Sequence, residues 1–300
     1  DTLIGPDGGA EFVVSGADSG RVNWLGGGSS AYIEFMHIES LAGGLSDDYF
    51  IFTDSGSLSG TVNGRGGSNW LDYSDFDQGV EVNLAASSAT AVQEGAAGAV
   101  QNILNLVGSA YGNVLTGSSS NNTFALTTGG TYTINPGDGS NSLSFEWVEE
   151  DLVIKLSNSG LEVNDTRIIV NFASGYSVNS FSTIIGGSEK NTFKLIDGFV
   201  FSGIISGGAG LYNTLDFSEY GAPVTFNLEQ MSATGLGGFT GINKLIGSVL
   251  GDTLIGPDGG AEFIISGVDS GQINWLSGDS SAYIEFVHIK NLVGGLSDDY

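Results

Sequence analysis

Three aspartates within six positions, Asp72, Asp75 and Asp77 of LDYSDFDQ, form the densest carboxylate cluster in the chain. Carboxylates on a bent loop suit a hard cation at about 2.3 to 2.6 Å, so this is the first place to look for calcium. The matching segment LDFSEYGA keeps Asp216 and the acidic Glu219 but loses the third carboxylate, which favours a solvated acidic turn over an ion site. The pair Asp47 and Asp48, echoed by Asp298 and Asp299, reads likewise as a polar turn that keeps its corner in water. The two histidines, His37 and His288, occupy equivalent places in YIEFMHI and YIEFVHI. Read as strand-embedded, His37 lies three residues after Glu34, and odd separations on a strand alternate faces, so a shared catalytic or metal role is not expected. Trp24 and Trp275 are copies, while Trp70 and Trp147 fall at strand-like positions. Aromatics this regular read as core stacks, with a glycan-binding stripe as the alternative.

Catalysis fares no better. Polysaccharide-active enzymes need a unique cleft with paired carboxylates, or a cation with a basic residue to take the proton. The eight basic residues, Arg21, Arg65, Lys155, Arg167, Lys190, Lys194, Lys244 and Lys290, are scattered singly. Copies exchange them freely: Arg21 becomes Gln272, and Glu39 becomes Lys290. There is no Gly-rich phosphate loop, nucleophile elbow or metal-ligand histidine spacing. The expectation is a scaffold without chemistry of its own.

That expectation rests on repetition. Residues 1–49 return as residues 252–300 at an offset of 251, with 38 of 49 positions identical. Val13 becomes Ile264, Val14 becomes Ile265, Val22 becomes Ile273 and Met36 becomes Val287, swaps that keep an apolar side chain of similar volume. A fixed period marks arrays whose units bury their apolar faces by stacking on neighbours. We therefore read residues 1–251 as one long repeat, with sub-units near 1–40, 41–113, 114–183 and 184–251, and residues 252–300 as the start of the next. The subdivision follows a polar turn before an aromatic at Phe12, Phe50, Phe124, Phe193 and Phe263, in steps of 38, 74, 69 and 70 residues. Its best internal match pairs Leu41 to Leu84 with Ile184 to Leu228. Both ends fall inside a repeat, so an excerpt of a longer protein is expected.

Composition sets the class. With 49 Gly, 4 Pro and 40% hydrophobic residues the chain is too apolar for disorder and too Gly-rich for a helical bundle. A formal charge of −26 argues against nucleic acid or an anionic membrane surface as partner. Cysteine is absent, which removes disulfides and thiolate chemistry. No run approaches the roughly 18 to 20 apolar residues of a membrane span, and no stretch combines a basic start, an apolar core and a cleavage site, so targeting signals are expected elsewhere in a longer protein.

Short runs rich in Val, Ile, Phe, Leu and Thr recur about every ten residues between Gly, Asn, Asp and Ser, as at Phe50 to Phe52, Leu71 to Tyr73, Val80 to Leu84, Phe124 to Leu126, Leu143 to Trp147 and Leu152 to Leu156. Val80, Val82 and Leu84 alternate with Glu81 and Asn83, the mark of a half-buried strand. Gly26 to Gly28 and Gly207 to Gly210 read as tight corners. The Ala-rich Ala85 to Val100, broken by Gly95 and Gly98, reads as an elaborated loop. The fold expected is all-β, a parallel β-helix or β-roll solenoid, with antiparallel β-sandwich repeats as the alternative. Coils of about 20 to 30 residues stacked about 4.8 Å apart would give a rod.

GSAYGNVLTG (Gly108 to Gly117), GSVLGDTLIG (Gly247 to Gly256) and GGAGLYNTLDF (Gly207 to Phe217) resemble degenerate forms of the nonapeptide of RTX-type calcium-binding proteins. With LDYS and LDFS followed by VEVNL and VTFNL, they resemble repeats of very large secreted bacterial surface adhesins of the RTX-like or filamentous-haemagglutinin-like kind. The resemblance implies export, an extracellular or cell-surface location, a parallel β-solenoid, and a role as adhesin stalk or fibre-forming scaffold. Its partners would be neighbouring repeats, a homo-oligomeric fibre or bundle, and a cell-surface glycan. A polysaccharide-active enzyme and a carbohydrate- or ice-binding face are the alternatives. Tandem calcium half-sites are missing, since Asn113 stands where a ligating Asp would be and Asp252 lacks a partner site nine residues away. The calcium candidates are thus Asp72, Asp75, Asp77 and Asp252, with no cofactor required.

Overall fold

A computed structural model of the chain describes residues 1–25, 32–54, 56–164, 168–276 and 283–300. The glycine corner at 26–28 and Arg167 lie outside these residues. The described residues are nearly all strand and turn, and their only helical pieces are the single turns Gln93–Gly95 and Val178–Ser180. Two compact units divide the chain, Asp1–Trp147 with Arg167–Tyr176, and Val148–Thr166 with Ser177–Tyr300.

In the first unit the strands Tyr49–Phe52, Trp70–Asp72, Asn105–Val107, Thr123–Ala125 and Ser142–Ser144 pair in parallel, each with the next, and Ala10–Gly16 pairs in parallel with Tyr49–Phe52. Register stacks Phe12, Phe50, Leu71, Leu106, Phe124 and Leu143 in one column, and all six are fully buried. The period of two along a strand explains the column: in a parallel pair in register, alternate residues of both strands face the same way. A second parallel set joins Thr2–Ile4, Ser40–Ala42, Val62–Asn63 and Val100–Gln101. A third joins Glu81–Asn83, Gly112–Thr116, Thr131–Asn135 and Ile169–Phe172, aligning the buried Val82, Leu115 and Ile134.

The second unit repeats the device. Leu152–Ser157, Asn191–Leu195, Asn213–Asp216, Lys244–Ile246 and Tyr283–Val287 form a parallel set whose inner column is Ile154, Phe193, Leu215, Leu245 and Phe286. Ile184, Ile205 and Phe239 align in another. Phe226, Leu254 and Leu292 align in a third.

Antiparallel pairs interrupt this pattern. Ala10–Gly16, Ser19–Trp24 and Tyr32–Met36 make an antiparallel meander, which returns 251 residues later as Ala261–Gly267, Ser270–Trp275 and Tyr283–Val287 with the same partners, including the shift between Val14 and Gly16 matched between Ile265 and Gly267. Gly20 is required there, because a Cβ would strike the Val13 carbonyl oxygen and the Phe35 ring; Gly271 meets Ile264 and Phe286 in the same way. The sheets therefore mix parallel and antiparallel strands, which the expectation of purely parallel coils did not include. The cue was in the sequence: SGADSG between two alternating runs is a hairpin signal, and Asp18 and Asp269 turn it with φ of 49° and 53°.

The internal match of Leu41 to Leu84 with Ile184 to Leu228 extends to side chains. Asp72 Oδ1 accepts the Ser74 N–H at 2.7 Å, and Asp216 Oδ1 accepts the Ser218 N–H at 2.8 Å. Tyr73 meets Phe76 edge-on at 5.5 Å, as Phe217 meets Tyr220 at 5.0 Å. Ala85 to Val100 holds the short strand Ser88–Ala89 and one helical turn, in keeping with an elaborated loop.

Candidate functional site: buried aspartates and asparagines at the corners

The polar residues with the fullest surroundings are those where a turn enters a strand. Asn191 is fully buried, with Oδ1 accepting the Gly187 N–H at 2.8 Å. Its Nδ2 lies within hydrogen-bond distance of the carbonyls of Gly187, Glu189 and Gly207 and of Asn213 Oδ1. Asn213 repeats the role, donating to Gly210 and Gly241 carbonyls at 2.8 and 2.9 Å while its own N–H reaches Asn243 Oδ1. In the first unit Asn113 accepts from Ser109 N–H and donates to Ser109 and Tyr111 carbonyls. Asn69 accepts the Asp48 N–H and donates to Gly66 and Asn102. Each amide thus ties its own turn to the neighbouring one. An amide is needed because it both accepts and donates; a carboxylate only accepts. Asn113 is therefore the residue its corner requires, with bonds a ligating Asp could not make.

Asp48 shows the converse. It is fully buried, so its half of the Asp47–Asp48 turn does not stay in water, whereas Asp47 is exposed. Oδ1 accepts the Ala10 N–H at 2.7 Å and Oδ2 the Gly44 N–H at 2.8 Å, and a Cβ on Gly43 would collide with the carboxylate. Two N–H groups aimed at one side chain call for a residue with two acceptors. Asp299 accepts the Ala261 N–H at 2.9 Å in the second copy. Asp252, also fully buried, accepts Val224 N–H and Ser248 Oγ on Oδ1, but Oδ2 has no hydrogen-bond partner among the described residues. The same substitution should then act oppositely at the two sites. Asp48→Asn turns an amide NH2 against an N–H and is expected to cost about 1–3 kcal/mol. Asp252→Asn keeps the Oδ1 acceptor and puts its NH2 where no N–H opposes it, and is expected to be neutral or stabilising. Urea midpoints of the two variants check this, and a loss at both sites would contradict it.

The calcium candidates are placed as follows. Asp72 is buried and bound into its turn, Asp75 and Asp77 are exposed, and Asp252 lies in the other unit. Among the described residues no group of three or more His, Asp or Glu is positioned to hold a metal ion. Burial pushes the Asp48 carboxyl above the usual range against the pull of the Gly44 and Ala10 N–H groups, and burial raises Asp72 against Ser74. A carboxyl raised in the folded state stabilises most fully below the unfolded value near 3.8, and that contribution is lost as pH rises through the folded value. Acidification also relieves the repulsion of 34 acidic against 8 basic side chains. Glu219, held low by Lys194, opposes this but is exposed and screened. The melting temperature is expected to rise as pH falls from neutrality towards the unfolded carboxyl value near 3.8. A fall over that interval would refute the assignment.

The histidines are not embedded in strands. His37 follows Tyr32–Met36 with φ 56°, and His288 stands between Tyr283–Val287 and Ile289–Val293 with φ 61°. Each turns the chain out of the meander, and a left-handed residue does this sharply. The tryptophans are not core stacks. Trp24 is 37% exposed, and Trp147 lies in a turn rather than a strand. The half-buried Trp70 stacks on Tyr49 at 6.1 Å and meets Trp147 at 5.0 Å on the outer face, while phenylalanine fills the interior. Nothing in the runs around Trp70 separated inner from outer stacking beyond the strand period itself.

These features define an all-β chain built on an internal repeat. No protein-family model matches it, and no curated protein is significantly similar to it. No helix among the described residues is long and apolar enough to cross a membrane.

Proposed function

We infer that the chain is a structural repeat segment, each unit a stretch of β-solenoid, belonging to a giant exported bacterial surface or matrix protein that serves as an adhesin stalk or fibre-forming scaffold. The observation that carries this reading is the recurrence of one meander and its parallel edge, strand for strand, at an offset of 251 residues. A catalyst needs one private site; a spacer needs units that repeat their contacts. Each strand set offers backbone groups and an apolar column that the next set completes, so length is added without new chemistry. Partners in this reading are neighbouring repeats and further copies in a fibre or bundle, at the cell surface or outside the cell, and calcium is not required.

Electron microscopy of tandem chains tests it. Rods that lengthen by a constant increment for each added 251-residue period are expected; particles that grow as separate compact bodies would overturn it. A second reading, a glycan-binding face, draws on the Tyr49, Trp70 and Trp147 row, since half-exposed rings suit sugar faces. Glycan arrays on which Trp70→Ala abolishes binding would support it.

A further inference from the structure

Asn63 and Gly64 are the one Asn-Gly pair in the chain. Such a pair reacts with itself, because the glycine nitrogen, unshielded by any side chain, can attack the asparagine Cγ. The fold nonetheless demands both residues. A Cβ on Gly64 would strike the Asn102 carbonyl oxygen and the Asn69 side-chain amide, so only glycine fits this corner. Asn63 Oδ1 accepts the Arg65 N–H at 2.9 Å and Asn102 Nδ2 at 2.8 Å, which fixes the turn that follows. A self-reactive dipeptide therefore stands at the end of the strand Val62–Asn63.

Four hydrogen bonds keep the reacting atoms apart. The Asn63 carbonyl accepts the Gly43 N–H at 2.9 Å on one side, and the Gly64 N–H donates to the Gln101 carbonyl at 2.9 Å on the other. Attack requires this peptide plane to rotate until its nitrogen faces Cγ, which breaks both bonds, and Oδ1 is held meanwhile by Arg65 and Asn102. The two sides differ in firmness. Ser40–Ala42 lies between Thr2–Ile4 and Val62–Asn63, whereas Val100–Gln101 has two residues and ends its parallel set among the described residues. The loop leading into it holds Ser87, Ala91, Gln93 and Glu94 at φ of 57°, 66°, 45° and 53°, a region that strains a side-chain-bearing residue. Few and strained contacts mean a low opening free energy, so this edge parts before the rest of the set.

We propose that Asn63–Gly64 is a site of spontaneous covalent modification, gated by detachment of Val100–Gln101. With the edge open, the Gly64 nitrogen gives its proton to water and bonds to Asn63 Cγ, the Cγ–Nδ2 bond breaks, and ammonia leaves. Water then opens the resulting succinimide, so neither oxidant nor cofactor takes part. Cleavage at Cγ gives aspartate, whose carboxylate still accepts from Arg65 and Asn102. Cleavage at the main-chain carbonyl gives isoaspartate, which adds a carbon to the main chain and throws the strand out of its two-residue period. The edge re-forms on the first product and not on the second. Opening is reversible and the chemical step is not, so the site accumulates a record of how long the edge has stood open.

Peptide mapping by mass spectrometry, on the whole chain aged at mildly alkaline pH over a series of urea concentrations, tests this. Modification at position 63 is expected to run at least about a hundredfold slower in the native chain than in the unfolded one. Below the unfolding transition, the logarithm of its rate should rise with urea at a small fraction of the slope of global unfolding, because detaching one short strand exposes little surface. Equal rates in the native and unfolded chain would overturn the proposal. A slope equal to the global one would overturn it too, since complete unfolding would then be what frees the pair. Val100→Ala is expected to speed the native reaction by about tenfold, and Leu106→Ala, in a different parallel set, to leave it unchanged. Equal acceleration by both would remove the edge from the account. The urea series needs neither variant, so one that fails to fold leaves the test in place.

Discussion

Replacing Phe12 with alanine is expected to lower the unfolding free energy by about 3–5 kcal/mol, because the ring is wholly buried and its removal leaves a cavity in a fixed column. The identical change at Phe263 is expected to cost about 1–2 kcal/mol, since less apolar surface leaves water there. The two residues follow the same GGAE, precede Val-Val in one copy and Ile-Ile in the other, and have equivalent antiparallel partners, Val22 and Ile273. They differ in what lies on the other side. Phe12 has Phe50 stacked on it; Phe263 is half-buried and faces an edge occupied only as far as Tyr300. The difference between the two variants therefore measures what one neighbouring strand contributes. Denaturant unfolding, with the transition of each unit followed separately, reads it. Equal losses at the two positions would mean that the segment is self-sufficient.

Asn191→Asp is expected to cost at least about 3 kcal/mol at neutral pH. The carboxylate can still accept the Gly187 N–H, but the other oxygen would face the carbonyls of Gly187, Glu189 and Gly207 and the Asn213 Oδ1, all acceptors. Repulsion and an unpaired buried charge add. Protonation returns one donor, so the loss should shrink as pH falls; here the introduced group carries a folded value above its unfolded one, and its penalty grows as pH rises. A variant as stable as the parent at neutral pH would show that the corner amides do not hold the turns together. Thermal melts at two pH values give both results.

The sequence carried the repeat and the strand positions because both depend on local pattern. Every run expected as a strand between Phe50 and Leu156 overlaps an observed one, and the pairing of LDYS with LDFS survives to the level of a shared turn and a shared edge-on ring pair. What it hid depends on burial and on partners distant in the chain. Asp48 and Asp47 are neighbours of one type, yet only Asp48 meets the N–H of Ala10, 38 positions away. Asn113 looked like a lost ligand because the resemblance supplied a metal role, whereas its hydrogen bonds supply a structural one. The apolar neighbours of His37 suit a strand, and only the backbone dihedral reveals the turn. The buried corner residues did have a signal: a small-residue turn followed by Asn or Asp directly before a β-branched or aromatic run recurs at Asp48, Asn69, Asn113, Asn122, Asn191 and Asn213.

Parallel, in-register stacking of segments far apart in the chain is the central claim, and disulfide trapping tests it most directly. Glu81 and Val114 are paired and both exposed. Neighbouring strands lie about 4.8 Å apart, within the reach of a disulfide, which usually spans about 4.4–6.8 Å between Cα atoms. Under mild oxidation the double variant Glu81→Cys with Val114→Cys should close quantitatively, while Glu81→Cys with Gly112→Cys or with Thr116→Cys should not. Closure of the shifted pairs at the expense of the registered one would contradict the account.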